Sequence, residues 1–254
     1  MSLSIDIDYQ SEKFQKVLDV LKDTTRKFII VDGVIGAGKT TVMKLLEKNI
    51  NNINNIVINN SDTYYTNKKQ IKVKAIYEPV DLWNKTGALQ YFYKDIPKNC
   101  YEFQTYTFIT RISSVIDEIY NCQDADIYIL ERSIWTDRYI FMELLKDLVG
   151  DLRMTMYNQW CDLWAYIMPM KVNKWVLLDT SLDESLKRIS SRNRNGEDGI
   201  SLDYQTNLYN KHIEFFKKLE DDGKPIVHIQ SSLMDSNFIE DIDKLNNIIQ
   251  HILD

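Results

Sequence analysis

The chain contains a glycine-rich stretch whose spacing suits phosphate binding. Residues 33–40 read GVIGAGKT and match the pattern G-x-x-x-x-G-K-[ST]. Glycines are needed there because backbone N–H groups must approach phosphate oxygens closely, and a Cβ would block that approach. A tight strand-to-helix turn with a chance match is the plain alternative. The apolar run before the stretch and the helical pattern after it favour a nucleoside triphosphate site.

Within this stretch each polar residue has an expected partner. The Lys39 ammonium can reach the outer phosphates, and the Thr40 hydroxyl can ligate Mg²⁺. A helix that opens at Lys39 adds the positive end of its dipole. The residues predicted to contact the phosphates are Gly33, Gly36, Ala37, Gly38, Lys39, Thr40 and Thr41.

Acidic residues follow two further predicted strands. Glu78 comes directly after a strand-like segment, and Glu131-Arg132 follows another. Taken alone, Glu78 could be a solvated loop residue and Glu131-Arg132 a structural ion pair. Sites in open parallel sheets form beyond the C-terminal ends of the strands. We therefore expect these groups and the phosphate loop to open onto one cleft.

A cluster of arginines forms the next chemical signal. Arg188 and Arg192 lie one helical turn apart, and Arg194 follows just before a glycine-rich break. A solvated basic helix face is the plain interpretation. Because guanidinium groups suit a phosphoryl group in transfer, the cluster beside a phosphate loop predicts a mobile lid over residues 186–200.

The elements that must position these residues alternate between strands and helices. Buried strands are predicted at Phe28–Val31, Lys72–Tyr77, Ile127–Leu130, Trp175–Leu178 and Pro225–Ile229. Helices are predicted at Ser11–Asp23, Thr40–Lys48, Leu89–Tyr93, Cys100–Tyr120 and Phe238–Leu253. An aromatic-rich region that ends at Met168 is also predicted to be helical. A further helix is expected after Ser181-x-x-Glu184, which reads as a capping box. This order predicts an α/β fold, a mostly parallel five-stranded sheet with helices on both faces.

Composition limits the classes of function. The 254 residues carry a net charge of −6, which argues against a protein that coats nucleic acid. No apolar run has the length of a membrane span, and the acidic N-terminus resembles no targeting peptide. The cysteines Cys100, Cys122 and Cys161 show no metal spacing, so we expect free buried thiols and a cytoplasmic location. The Asn-rich residues 49–60 predict a surface loop with a short edge strand at Ile56–Ile58.

The motifs in order resemble those of the deoxynucleoside kinases of the deoxycytidine/deoxyguanosine kinase type. The resemblance runs from about Lys27 to Lys211, through GVIGAGKTT, YEPVDLW, YKD, EFQTYTFITR, ERSIWTDRYIF and RISSRNRNGEDGISLDY. It implies the three-layer P-loop kinase fold in a single domain over residues 1–254, with residues 1–26 as a helical extension. It also implies ATP and Mg²⁺ as donor and metal, a role in nucleotide salvage, and a homodimer packed through helices.

The resemblance further implies catalytic roles. Glu78 looks like the general base for the 5′-hydroxyl of the sugar, and Arg132 like the group that steadies that oxygen and the base carboxylate. Glu131 looks like a carboxylate that holds Mg²⁺ with Thr40. Arg188, Arg192 and Arg194 look like lid arginines on the donor phosphates.

Substrate-binding roles carry over in the same way. Tyr93 and Glu197 resemble the pair that grips the 3′-hydroxyl, and Gln104 resembles the amide that hydrogen-bonds the base edge. The aromatic residues Trp83, Phe103 and Phe141 resemble the walls of the base pocket, although core packing is the plain interpretation of each alone. In the family, an Arg–Asp pair at the places of Arg111 and Asp137 goes with deoxycytidine and purine deoxynucleosides. We therefore expect thymidine to be a poor substrate.

Two other functions stay open at this point. A nucleoside monophosphate kinase of the thymidylate kinase type would share the sheet and phosphate loop, but its acceptor phosphate calls for an arginine in a DR-type motif, where this chain has ERS. A P-loop regulatory ATPase would need a water-positioning group and a partner surface, and neither is legible in the sequence.

Overall fold

A computed structural model describes residues 7–47, 71–192 and 200–230 of the chain, with backbone only for residues 7–11. The edge strand predicted at Ile56–Ile58, the final helix predicted at Phe238–Leu253 and most of the predicted lid lie outside these ranges.

The described part of the chain is organised around a parallel sheet of five strands in the order β2-β3-β1-β4-β5. The strands are β1 (Lys27–Asp32), β2 (Val73–Ile76), β3 (Ile127–Glu131), β4 (Val172–Asp179) and β5 (Ile226–Gln230). All five predicted strands are confirmed, and β4 begins three residues earlier than the apolar run alone indicated.

Helices connect and cover the strands. They are α1 (Ile7–Lys22), α2 (residues 39–47), α3 (Val80–Lys85), α4 (Ala88–Lys94), α5 (Ile96–Asn121), α6 (Ile134–Thr136) continued by a π-helix (Asp137–Met142), α7 (Lys146–Val149), α8 (Asp151–Ile167), α9 (Leu182–Arg192) and α10 (Leu202–Asp221). Within the described ranges the prediction of an α/β fold with a parallel sheet between helices is therefore confirmed.

The sheet is buried on both faces, which explains why its strands read as continuous apolar runs. Along β1, Phe28 and Ile30 belong to one hydrophobic cluster with α1, α5, α8 and α10. Ile29 and Val31 belong to a second cluster on the opposite face with α2. Because neighbouring side chains of a strand point to opposite faces, one short strand contributes to both layers.

The start of α5 shows how local chemistry fixes an element. The Asp95 carboxylate accepts a hydrogen bond from the Lys98 N–H, and Pro97 stands in the first turn, where its missing donor costs nothing. The helix therefore begins at Ile96, four residues before the predicted start, and carries Gln104 and Arg111 on its buried side.

Other predictions on the fold have plain outcomes. All three cysteines are free, but Cys122 is half-buried, so the expectation of three buried thiols is wrong for this residue, which lies in the turn after α5. Ser181 accepts from the Glu184 N–H at 3.3 Å, while the Glu184 carboxylate pairs with Arg188. Within the described ranges, no helix has the length and apolar character of a membrane span.

Candidate active site

The phosphate loop lies between β1 and α2, at the carboxyl edge of the sheet. The Lys39 ammonium donates to the carbonyl oxygens of Gly33 and Val34, at 3.0 Å each. Gly36 adopts a φ of +81°, and a Cβ there would come within 2.6 Å of the Ser185 carbonyl oxygen on α9. Glycine is therefore required at this position both for the left-handed backbone and for the close approach of α9.

Lys39 is buried beside other cations. Burial, together with the positive charge of Arg132, lowers the pKa of the Lys39 ammonium to about 7, although Glu78, Glu131 and Asp32 oppose the shift. An anionic ligand beside Lys39 would stabilise the charged form of the ammonium group and raise its pKa again. This suits the loop to phosphate.

Glu78 follows β2 and is held by two arginines. Its Oε1 accepts from Arg111 Nη2 at 2.8 Å, and Arg132 Nη1 donates to both carboxylate oxygens at 3.0 and 3.1 Å. Burial raises the pKa of Glu78, but the charges of Arg132 and Arg111 outweigh burial and lower that pKa to about 2. Glu78 is therefore an ionised carboxylate aimed at the cavity.

Arg132 has the only positive φ of any non-glycine residue in the described ranges, at 61°. A left-handed arginine costs energy and indicates that the surroundings fix it. Its Nη2 donates to the Gly33 carbonyl at 3.1 Å, and its Nε lies 3.6 Å from Asp32 Oδ1. The guanidinium also lies 4.8 Å from the ring centre of Phe141. Arg132 thus joins the end of β3 to the phosphate loop.

A pair of oxygen donors suited to a hard cation lies where α2 begins. The Thr40 hydroxyl donates to Glu131 Oε1 at 2.8 Å, and Glu131 is buried at the end of β3. Among the described residues no group of three or more His, Cys, Asp or Glu side chains gathers into a metal site. Two protein oxygens fit Mg²⁺, which completes its shell with water and phosphate.

These groups face one cavity of about 370 Å³. Its walls include the phosphate-loop residues Gly36, Gly38, Lys39, Thr40 and Thr41, the acid and arginine group Glu78, Arg111, Glu131, Arg132 and Asp137, the pocket residues Trp83, Tyr93, Phe103, Gln104, Thr107 and Phe141, and the α9 arginines Arg188 and Arg192. Gly33 and Ala37 do not line it but contribute carbonyl oxygens that hold Arg132, Lys39, Thr180 and Arg188.

The far end of the cavity holds a fixed arginine and aspartate pair. Arg111 donates from Nε to Asp137 Oδ2 at 2.7 Å and from Nη2 to Asp137 Oδ1 at 3.0 Å. Its Nη1 donates to the Glu131 carbonyl at 3.0 Å. Burial raises the pKa of Asp137, and the charge and hydrogen bonds of Arg111 offset only part of that rise. Gln104 lies one and a half to two turns away along α5.

Aromatic rings form the walls between these ends. Phe103 stacks on Phe92 with ring centres 4.4 Å apart, and Trp83 meets Phe103 edge-on at 6.2 Å. The Trp83 indole donates to Thr110 Oγ1 at 2.9 Å. Trp83 is therefore both a cavity wall and a core residue.

The α9 arginines approach the phosphate loop as expected from their spacing. Arg188 Nη1 contacts the Ala37 carbonyl at 3.4 Å, and its Nε pairs with Glu184 at 2.9 Å. Arg192 lines the cavity one turn later. Arg194 and Glu197 lie outside the described residues.

Several residues of the site were missed by sequence reasoning. Asp32 is fully buried under the loop, where it accepts from the Gly33 N–H at 2.8 Å and from the Thr136 hydroxyl at 2.6 Å. His212 of α10 lies 3.4 Å from the same carboxylate. Gln205 donates to the Ile35 carbonyl and to Ser185 Oγ. The sequence signal for these residues was a polar side chain at a position where a strand or helix is otherwise apolar. Such a signal does not show which other residue the side chain contacts.

Comparison with known proteins agrees with this geometry. The family model for deoxynucleoside kinases matches residues 29–254. The chain is 30% identical over 234 residues to a probable deoxycytidine kinase of Fowlpox virus (strain NVSL), with 91% of this chain and 88% of that protein covered. It is 30% identical over 193 residues to the deoxyadenosine kinase of Dictyostelium discoideum, with coverage of 75% and 67%.

A third relative is the human protein. Deoxycytidine kinase of Homo sapiens is 28% identical over 199 residues, with 74% of this chain and 75% of that protein covered. The resemblance seen in the motifs is therefore confirmed, and the chain belongs to the deoxynucleoside kinase family.

Proposed function

We propose that this ATP-dependent deoxynucleoside kinase transfers the γ-phosphoryl group to the 5′-hydroxyl of deoxycytidine or of a purine deoxynucleoside, in nucleotide salvage. The observation that carries the proposal is the continuous buried ion network at the cavity. Arg111 bonds Glu78 at one end and Asp137 at the other, so the acceptor oxygen and the base would be positioned by one rigid group.

The chain's own groups suit the acceptor side of the reaction. The 5′-hydroxyl would donate to Glu78, and Glu78 would take its proton as the oxygen attacks phosphorus. Because Glu78 binds two arginines and keeps a low pKa, proton transfer would come late, as suits a loose transition state. Alignment of the attacking oxygen is then the main contribution of Glu78 and Arg132.

The donor side is formed by the phosphate loop and α9. Gly33, Gly36, Ala37, Gly38, Lys39, Thr40 and Thr41 would surround the phosphates, with Arg188, Arg192 and Arg194 over them. Thr40 and Glu131 would hold Mg²⁺, whose chemistry is to neutralise charge on the phosphate oxygens. Lys39 would supply a nearby cation whose charge the phosphates stabilise.

The acceptor nucleoside would occupy the remaining cavity. Trp83, Phe103 and Phe141 would pack on the base, and Gln104 would read its edge. Tyr93 and Glu197 would hold the 3′-hydroxyl.

Base preference would follow from the Arg111–Asp137 pair. A fixed, buried donor and acceptor pair discriminates against a base that leaves either partner unmatched, because an unpaired buried polar group costs binding. The relatives named as deoxycytidine and deoxyadenosine kinases support the same preference.

A substrate panel tests the proposal. Four deoxynucleosides and four ribonucleosides are offered with ATP and Mg²⁺, and kcat/KM is measured for each. We expect deoxycytidine, deoxyguanosine or deoxyadenosine to exceed thymidine, and thymidine well above the other three would overturn the preference. Transfer to deoxynucleoside monophosphates instead of nucleosides would indicate a monophosphate kinase, and ATP loss independent of any acceptor would indicate a regulatory ATPase.

The organisation of the whole chain completes the proposal. The chain would be one catalytic domain with a helical extension over residues 1–26 and a lid over residues 186–200, and it would form a homodimer. Exposed apolar side chains in one row along α8 support the dimer, and they include Leu152, Met156, Trp160 and Leu163. The cytoplasmic location stays a prediction from the sequence.

A further inference from the structure

His212 lies at the centre of the molecule although no step of the proposed reaction uses it. It stands on the buried side of α10, is only 1% exposed, and contacts the Phe141 ring edge-on with centres 6.2 Å apart. Phe141 is also the ring under the Arg132 guanidinium. His212 therefore lies one layer behind a group that we place at the reacting oxygen.

Both ring nitrogens of His212 face oxygen atoms that can only accept a proton. Nδ1 lies 2.8 Å from the Leu208 carbonyl oxygen, so Nδ1 carries a hydrogen. Nε2 lies 3.4 Å from Asp32 Oδ1, which is within ion-pair distance, although it forms no aligned hydrogen bond among the described residues. A neutral ring with its hydrogen on Nδ1 would leave a bare lone pair buried beside a carboxylate, whereas a doubly protonated ring would be a cation within ion-pair distance of it.

Asp32 is the buried acid that His212 faces. It is fully buried, and burial alone would raise the pKa of its carboxyl. A charged His212, the charge of Arg132 and the Thr136 hydroxyl together would outweigh burial and hold that pKa well below its ordinary value. A fully buried carboxylate needs cationic neighbours, and Asp32 has Arg132 on one side and the His212 ring on the other.

We propose that His212 is a buried imidazolium that positions Arg132 through Asp32, and thereby positions the acceptor side of the active site. The inference deepens the proposed function, since it rests on the role given there to Arg132.

The geometry explains how one charge acts through the other. Arg132 Nε is buried, has no hydrogen-bond partner among the described residues, and stands 3.6 Å from Asp32 Oδ1. Its Nη1 meanwhile holds Glu78. With His212 charged, the negative charge of Asp32 is compensated from the side opposite Arg132, and Arg132 keeps its ion pair with Glu78. With His212 neutral, Asp32 would draw Arg132 toward itself and away from Glu78.

The protonation state is measured directly on the wild-type enzyme. The chain has three histidines, His212, His228 and His251, so ¹⁵N spectra of histidine-labelled protein are simple to assign, with His212→Gln to identify one set. At about pH 8 an ordinary histidine is neutral. We expect His212 to show two protonated ring nitrogens. A neutral tautomer at His212 would overturn the proposal, and the measurement needs no variant to remain active.

Kinetics test the positioning role. His212→Gln keeps a donor for the Leu208 carbonyl but removes the cation, and kcat should fall about 10- to 100-fold, the effect of a small misplacement at the reacting centre, with KM for the nucleoside much less changed. The control is His228→Gln, which alters an exposed histidine paired with Glu220 and should leave kcat unchanged. A His212→Gln enzyme that is folded by circular dichroism and keeps wild-type kcat would overturn the role.

A double-mutant cycle shows whether His212 acts through Asp32. If it does, Asp32→Asn with His212→Gln should be no slower than Asp32→Asn alone. Losses that multiply would overturn the coupling. Failure of the proposed function would look different, because phosphorylation of no nucleoside by the wild-type enzyme would refute the reaction while the ring nitrogens of His212 would still report its charge.

Discussion

Buried ionisable side chains in this enzyme alternate between basic and acidic groups from α10 to the Asp137 end of the cavity. The order is His212, Asp32, Arg132, Glu78, Arg111 and Asp137, and each neighbouring pair lies within 4 Å. All six side chains are at most 7% exposed. Alternation lets each charge compensate the next, because an unpaired buried charge would cost several kcal/mol. It also means that removal of any one member changes the position of its neighbours.

Glu78→Gln is the first test at this scale. The amide keeps the shape but loses the proton acceptor and both ion pairs, so kcat should fall about 100-fold or more. Nucleoside KM should change much less, since Trp83, Phe103 and Gln104 remain. Steady-state kinetics with the best nucleoside of the panel give both values.

The matched control is Glu102→Gln, which alters an exposed glutamate 4.0 Å from Arg153 on the surface. It should leave kcat unchanged. A folded Glu78→Gln enzyme with full transfer activity would contradict the role of Glu78 as base.

Glu78 also predicts a pH dependence of stability. Its pKa is about 2 in the folded chain and near 4.5 in the unfolded chain. The folded state therefore binds fewer protons between these values, and the stability that Glu78 contributes, up to about 3 kcal/mol, is present above about pH 4.5 and is lost as the pH falls toward 2. Urea unfolding of wild type and Glu78→Gln at about pH 7, 5 and 3.5 measures this. The gap between the two should narrow as pH falls, and a constant gap would contradict the shift.

Some of the buried ionisable residues could be predicted from the sequence and others could not. Glu78, Arg132 and Asp137 could be found because each stands in a local motif beside a predicted strand end or helix start. Asp32 and His212 could not be paired, because 180 residues separate them and α10 gives no sign of which strand it covers.

At the level of elements, the phosphate loop is held by helix packing as well as by its own turn. Gly36 lies against the Ser185 carbonyl of α9, Ser185 Oγ donates to the Ile35 carbonyl, and Gln205 of α10 donates to both Ile35 and Ser185. Helix α9, which carries Arg188 and Arg192, and helix α10 are thus attached to the loop. A shift of α9 would therefore move the phosphate loop.

Gly36→Ala tests this attachment. A Cβ at Gly36 meets a backbone oxygen at 2.6 Å, which has no flexible end to move, so α9 or the loop must shift. We expect lower stability and a raised KM for ATP, by about tenfold or more.

Gly223→Ala is the matched control, since Gly223 also has a positive φ but a Cβ there meets nothing within 4 Å. It should cost only the left-handed strain, about 1–2 kcal/mol, with an unchanged KM for ATP. Equal effects of the two substitutions on that KM would show that α9 does not support the loop.

Strand positions were predictable from the sequence and the details of the helices were not. Parallel strands buried on both faces leave long apolar runs, and their carboxyl ends lie at one edge of the sheet. The meeting of Glu78, Glu131 and the phosphate loop therefore followed from the parallel arrangement. The π-helix at Asp137–Met142 had no sequence signal. It places Asp137 and Phe141 toward the cavity, and such turns are frequent at functional sites.

At the scale of the whole molecule, the described residues include a row of exposed apolar side chains on α8. Leu152, Met156, Trp160 and Leu163 follow each other at helical spacing along α8, and Leu152 and Trp160 are 75% and 51% exposed. The opposite side of α8 packs on α5 through Tyr157 and Phe108. A contiguous exposed apolar row of this kind is typical of an interaction surface.

Trp160→Glu tests whether this row joins two copies of the chain. In a symmetric dimer the same patch meets itself, so one substitution places two like charges in the interface and counts twice. Sedimentation equilibrium should give twice the 30.0 kDa chain mass for wild type and a single chain mass for the variant. Ile213→Glu, at an exposed apolar residue of α10, is the control and should stay dimeric. Because the active-site cavity is lined by residues of one chain, the Trp160→Glu monomer should bind ATP, and a wild-type monomer or a dimeric variant would contradict the α8 interface.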